Sequence, residues 1–219
     1  MIQFENVTKR YGTRLALDEV SFSLDPSEMA FLVGHSGAGK STLLRHLVCL
    51  EAPSEGRVMV GNFDLRKLSP DQLPMFRRKV GVVFQDPQLL ADRSVFENVA
   101  LPLRAAGFDR SVIPARVKAA LEQVELSHLE QALPGELSSG QRQRVGIARA
   151  VVHKPALLLA DEPTGNLDPE LSKKIMKLFT QFRNHGVTVL IATHEQALVE
   201  AQPFRVLRLD QGRLVESGR

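Results

Sequence analysis

The chain has 219 residues, 43% of them hydrophobic, enough for a full core near the upper end of single-domain size. Its 28 basic and 25 acidic residues are mixed along the chain and leave a formal charge of +3, which excludes a basic nucleic-acid-binding tail and leaves a weak pull towards anionic surfaces. The single cysteine, Cys49, excludes an intrachain disulfide and, lying in an apolar run, reads as a buried, inert thiol in a reducing cytoplasm.

The opening "MIQFENVTKRYG" shows no charged segment followed by an apolar one, and no later run approaches the ~18 apolar residues of a membrane helix. If the protein works at a membrane, a partner is expected to supply the span. "IQFENV" and "LALDEVSFSL" alternate apolar and polar residues and predict antiparallel strands with one solvated face, followed by a turn at "DPSE". The grammar then changes to short continuous apolar runs, "MAFLV", "VGVVF", "ALLLA" and "VTVLIA", separated by helical stretches, as in a parallel sheet buried on both faces.

Between "VGVVF" and "ALLLA", the stretches "SVFENVALPLRAAG", "IPARVKAALEQVEL" and "SSGQRQRVGIARAVV" have helical periodicity. The expected organisation is one α/β domain over 1–219, with a core of 1–86 and 155–219 and an inserted helical lobe at about 87–154. A terminal hairpin turned at "DQG" closes the chain.

The stretch "GHSGAGKST" completes the pattern G-x-x-x-x-G-K-[ST] between a buried strand and a helix. Gly34, His35, Ser36, Gly37, Ala38, Gly39, Lys40, Ser41 and Thr42 are therefore candidate phosphate binders. The glycines let successive N–H groups curl towards phosphate oxygens, and the helix start adds its positive dipole end. Lys40 is expected to reach the β- and γ-phosphates, and Ser41 to bind Mg²⁺.

A phosphate loop needs a second metal anchor, and "ALLLADEPTGNLD" places an acidic pair at a strand end. Asp161 is expected to hold a water of the Mg²⁺ shell and Glu162 to polarise the attacking water. Taken alone, such a pair also serves as the cap of the next helix.

With "LSSGQ", Leu137 to Gln141, shortly before the acidic strand, the chain resembles the ABC-type ATPases over essentially its whole length. The resemblance implies an ABC ATPase nucleotide-binding fold, ATP and Mg²⁺ as ligands, and hydrolysis to ADP and phosphate at a dimer interface. It also implies that Ser138, Ser139, Gly140 and Gln141 close on the γ-phosphate held by the other subunit. Serine capping of a helix is the compatible local reading. Ser139 replaces a glycine of the commoner form of the motif, at about 1 kcal/mol if that position needed positive φ.

By the same resemblance, Tyr11 stacks on adenine, though it also suits a turn. Gln85 touches Mg²⁺ and the water, His194 contacts the γ-phosphate and fixes Glu162, and Asp168 passes one subunit's state to the other. Asp168 also reads as a simple cap for the helix "PELSKKIMKLFTQF". "THEQA" has Glu195 where aspartate is commoner, which keeps the charge.

Within the family, "DRSVFENVALPL" and "QRVGIARAVVHKPALLLADEPTGNLD" resemble the cell-division subgroup, with the lipoprotein-release and macrolide-export ATPases as the alternative. The resemblance implies a cytoplasmic homodimer, peripheral on the inner face of the membrane through an integral membrane subunit whose outer part controls cell-wall hydrolases. That subunit is expected to dock on "DPQLLADRSVFENVALPL" through Leu89, Leu90, Val95 and Phe96, although helical spacing suits Val95 and Val99 equally to core.

Overall fold

The computed structural model describes residues 1–165 and 167–218. Asn166 of the "GNLD" loop and the final Arg219 of the terminal segment lie outside them. Strands β1 (Ile2–Tyr11) and β2 (Arg14–Leu24) pair antiparallel, Tyr11 opposite Arg14. Their alternation works as read: Ile2, Phe4, Leu17, Val20, Phe22 and Leu24 are buried while Gln3, Ser21 and Ser23 are exposed.

β3 (Met29–Val33) leads into α1 (Lys40–Leu47). β4 (Glu55–Val60) and β5 (Phe63–Asp64) then complete the first sheet in the order β2-β1-β4-β5. Sequence reading passes over β4 because "EGRVMV" carries just two fully buried apolar residues, Val58 and Val60.

The remaining elements, in chain order, are α2 (Gln72–Arg77), β6 (Val80–Val83), α3 (Val95–Ala105), α4 (Ile113–Gln123), α5 (Ser139–Val151), β7 (Leu157–Asp161), α6 (Pro169–Asn184), β8 (Thr188–Thr193), α7 (Gln196–Glu200), β9 (Arg205–Asp210) and β10 (Arg213–Gly218). The second sheet runs β10-β9-β3-β8-β7-β6, parallel except for the β9–β10 hairpin.

The continuous apolar runs are explained by a core on each face of this sheet. Met29, Phe31, Val33, Leu158, Ala160, Val189 and Ile191 face a cluster completed by α3, α4, α5 and α6. Ala30, Leu32, Leu157, Leu159, Leu190 and Ala192 face the other way, against α1 and the antiparallel sheet.

The helical stretches between β6 and β7 become α3, α4 and α5, and the segment leading into α3 is tied down by a buried amide. Asn98 accepts from Leu90 N and donates to the carbonyls of Leu90, Arg93 and Ser94, while Ser94 and Glu97 form a capping box. Of the residues expected to dock, Val95 is fully buried together with Val99, the core reading of their helical spacing, and Leu89 and Phe96 pack half-buried against the core. Leu90 alone of the four residues expected to dock is well exposed. Cys49 also differs from expectation, being half-buried, with its thiol pKa raised by desolvation.

Candidate functional site

Parallel strands deliver their C-terminal ends to one edge of a sheet, where ligands of open α/β folds bind. Here β3 ends at the glycine loop, β6 just before Gln85, β7 at Asp161 with Glu162 following, and β8 just before His194. They surround a cleft of about 560 Å³ lined by His35, Ser36, Gly37, Gly39, Lys40, Ser41, Thr42, Gln85, Asp161, Glu162 and His194.

The loop turns through left-handed residues at Gly37 (φ 84°) and Gly39 (φ 112°), a region that favours glycine. Gly39 has a second reason: a Cβ there would stand 2.6 Å from the Ala16 carbonyl of β2. Two members of the predicted set do not line the cleft. Ala38 is buried, with its N–H donating to His35 O and its carbonyl accepting from Gly212 N, and Gly34 lies against Leu209.

Lys40 is 8% exposed and donates from Nζ to Gly34 O (2.6 Å) and His35 O (3.3 Å), with Glu162 Oε1 4.0 Å away. Ser41 Oγ donates to Asp161 Oδ2 at 3.3 Å. Burial, with the neighbouring Glu162 charge, raises the Asp161 pKa against the lowering pull of Ser41, Lys40 and Arg45. A desolvated carboxylate beside a hydroxyl fits Mg²⁺ carried in on substrate phosphates. Among the described residues no group of three or more His, Cys, Asp or Glu side chains could cage a metal by itself.

Glu162 has φ 47° and is 8% exposed. Its carboxylate accepts from His194 Nδ1 at 2.8 Å and from His194 N at 3.3 Å. Holding a non-glycine residue left-handed costs about 1 kcal/mol, strain of the kind found at working sites. The result aims the carboxylate between Lys40 and His194. Gln85 lies alongside, with its Nε2 near Gly165.

Ser138, Ser139, Gly140, Gln141 and Asp168 do not line this cleft. Ser138 caps α5 and forms a reciprocal capping box with Gln141, and Asp168 caps α6 by accepting from Leu171 N at 2.9 Å. Ser139 lies in the first turn of α5, outside the left-handed region, so serine carries no strain there. A Cβ at Gly140 would run into the end of the Leu171 side chain, which would have to shift.

Sequence reading missed Arg14, Ala16 and Arg45, which also line the cleft beside Tyr11. Arg45 carried a faint signal, being one helical turn beyond Ser41. The strand pairing of Tyr11 with Arg14 sets Tyr11 just before the turn at 12–13 and on the lining of the cleft.

Residues 17–165 match the family model described as ABC transporter. The chain is 52% identical over 215 residues to the cell division ATP-binding protein FtsE of Escherichia coli K12, covering 98% of this chain and 97% of that one. It is 42% identical over 216 residues to FtsE of Bacillus subtilis 168, covering 98% and 95%. A solved structure described as a dimeric post-hydrolysis state of the ATP-binding cassette MJ0796 bound to ADP and Pi matches with a TM-score of 0.91 and 34% identity, covering 100% of this chain and 98% of that one.

Proposed function

The chain belongs to the ABC transporter family and is an ATPase of it, and from that premise we propose that it hydrolyses Mg-ATP at a homodimer interface to drive an FtsX-like membrane subunit in cell division. The observation that carries the proposal is the convergence of Lys40, Ser41, Asp161, Glu162 and His194 on one cleft while Ser138 and Gly140 stand outside it. A second copy supplies what the cleft lacks: its Ser138 and the N–H groups at the start of its α5 cover the γ-phosphate. Lys40 and the loop N–H groups hold the phosphates, Ser41 and Asp161 hold Mg²⁺, and Gln85 and His194 position the water. Glu162 accepts the water's proton as the water oxygen attacks the γ-phosphorus and the bond from that phosphorus to the bridging oxygen breaks, so that ADP leaves and phosphate is released; Mg²⁺, when bound, would supply charge neutralisation on the phosphates. Asp168 relays the state of one site to the other subunit.

Among the described residues no helix is long and apolar enough to cross a membrane, so the proposed membrane association runs through the partner. The docking surface moves from Leu89 and Phe96 to a groove of about 460 Å³ between α2, β6, α3 and α5, lined by Val82, Phe84, Leu101, Pro102 and Ala105. Phe84 and Leu101 are each 41% exposed, and Phe84 adjoins Gln85, which couples the groove to the cleft. Leu101→Glu with Ala105→Glu is expected to release the protein from membranes without weakening ATP binding. Membrane fractionation with identification of the co-purified subunit checks this. Undiminished membrane association would place the groove elsewhere, and a lipoprotein-release or macrolide-export subunit in the complex would replace the cell-division reading.

A further inference from the structure

Tyr11 is the only tyrosine of the chain, and there is no tryptophan. It stands at the end of β1, 42% exposed, with its ring available to the cleft. A phenol at a hairpin tip would ordinarily sample several rotamers. This one is held: its hydroxyl donates to Glu51 Oε2, and Lys9 Nζ covers one face of the ring, 5.1 Å from the centroid.

Glu51 is the hub of that arrangement. Its carboxylate also accepts from Arg45 Nη1 at 3.1 Å and lies 3.5 Å from Lys9 Nζ, with the Glu51 side chain only 15% exposed. Lys9 in turn donates to Ala52 O at 2.9 Å. Burial pushes the Glu51 carboxyl up, but the hydrogen bonds from Tyr11 and Arg45 and the Lys9 charge outweigh it and leave the pKa below its ordinary value. One carboxylate therefore ties a strand residue, a ring-covering cation and an α1 cation that line or support the same cleft.

Resting on the reading that Tyr11 stacks on adenine, we propose that Glu51 is a positioning residue for the base: it fixes the Tyr11 ring with one face covered by Lys9 and the other presented to a purine. Its effect falls mainly on the base, although Arg45, held by the same carboxylate, also lines the cleft. The phosphates are gripped by the loop around Lys40, which Glu51 does not touch. Losing the anchor frees the ring and Arg45 together, so stacking must be re-formed at each binding event.

The test compares ATP with inorganic tripolyphosphate, both with Mg²⁺, on Glu51→Ala, Glu51→Gln and Tyr11→Ala. Calorimetry is expected to show ATP weakened about tenfold in Glu51→Ala, with tripolyphosphate affinity unchanged. KM for ATP rises by the same factor while kcat holds. Glu51→Gln, which still accepts from the phenol, recovers part of the loss. Quenching of tyrosine emission by ATP reports Tyr11 directly, and its midpoint shifts with the calorimetric value. Unchanged ATP affinity in Glu51→Ala, or an equal loss for tripolyphosphate, overturns the proposal. Unchanged ATP affinity in Tyr11→Ala overturns instead the stacking on which it rests, while tripolyphosphate binding to every variant keeps the phosphate site itself out of question.

Discussion

Glu162→Gln is expected to bind ATP as tightly as the parent while hydrolysing it 10²–10⁴-fold more slowly, about the range that a positioned general base contributes. The amide oxygen can still accept from His194 Nδ1, now 2.8 Å from the carboxylate, so the geometry of the strand end survives. What disappears is the capacity to take a proton from water. Because binding and hydrolysis are uncoupled, the variant should accumulate as an ATP-bound dimer, visible as a doubled mass in size-exclusion chromatography with light scattering. Turnover within a few-fold of the parent would remove Glu162 from the proton transfer and leave His194 as the residue to examine.

Lys40→Ala is expected to weaken Mg-ATP binding by about a hundredfold, the scale of losing one or two charge-assisted hydrogen bonds to phosphate. Lys40 is buried against the loop carbonyls of Gly34 and His35, so it needs only a short swing to meet a β- or γ-phosphate. Calorimetry reads the loss. A thermal melt close to the parent's would show that the loop itself remains folded. Unchanged affinity would mean that the glycine loop does not hold the nucleotide.

The site was legible in the sequence to the extent that its contacts are local. The residues from His35 to Thr42 are one turn and one helix start, and the strand-end positions of Asp161, Glu162 and His194 follow from apolar runs that end where polar residues begin. Arg14 was not legible and Arg45 only faintly so, because what brings them to Tyr11 is strand pairing and the packing of α1 against β2. The burial of the stretch before and into α3 was only partly legible for a related reason. Spacing marks Val95 and Phe96 as apolar, but that Leu89 ahead of α3 also packs on the core goes with Asn98 binding the preceding loop at Leu90 and Arg93. Likewise "RVLRLD" reads as half of a hairpin, while its parallel pairing with β3, which places Asp210 3.1 Å from His35, is a contact across most of the chain.

Each ATP is proposed to lie between the glycine loop of one copy and the α5 start of the other. The most direct test mixes Lys40→Ala subunits with Ser138→Arg subunits, both carrying Glu162→Gln so that bound ATP is retained. Each homodimer then has two defective sites, whereas the heterodimer has one intact site, formed by the loop of the Ser138→Arg chain and the Ser138 of the Lys40→Ala chain. Counting labelled ATP on the isolated species should give one per heterodimer and none on either homodimer. No retained ATP on the heterodimer, or retention by the Ser138→Arg homodimer alone, would contradict a shared site.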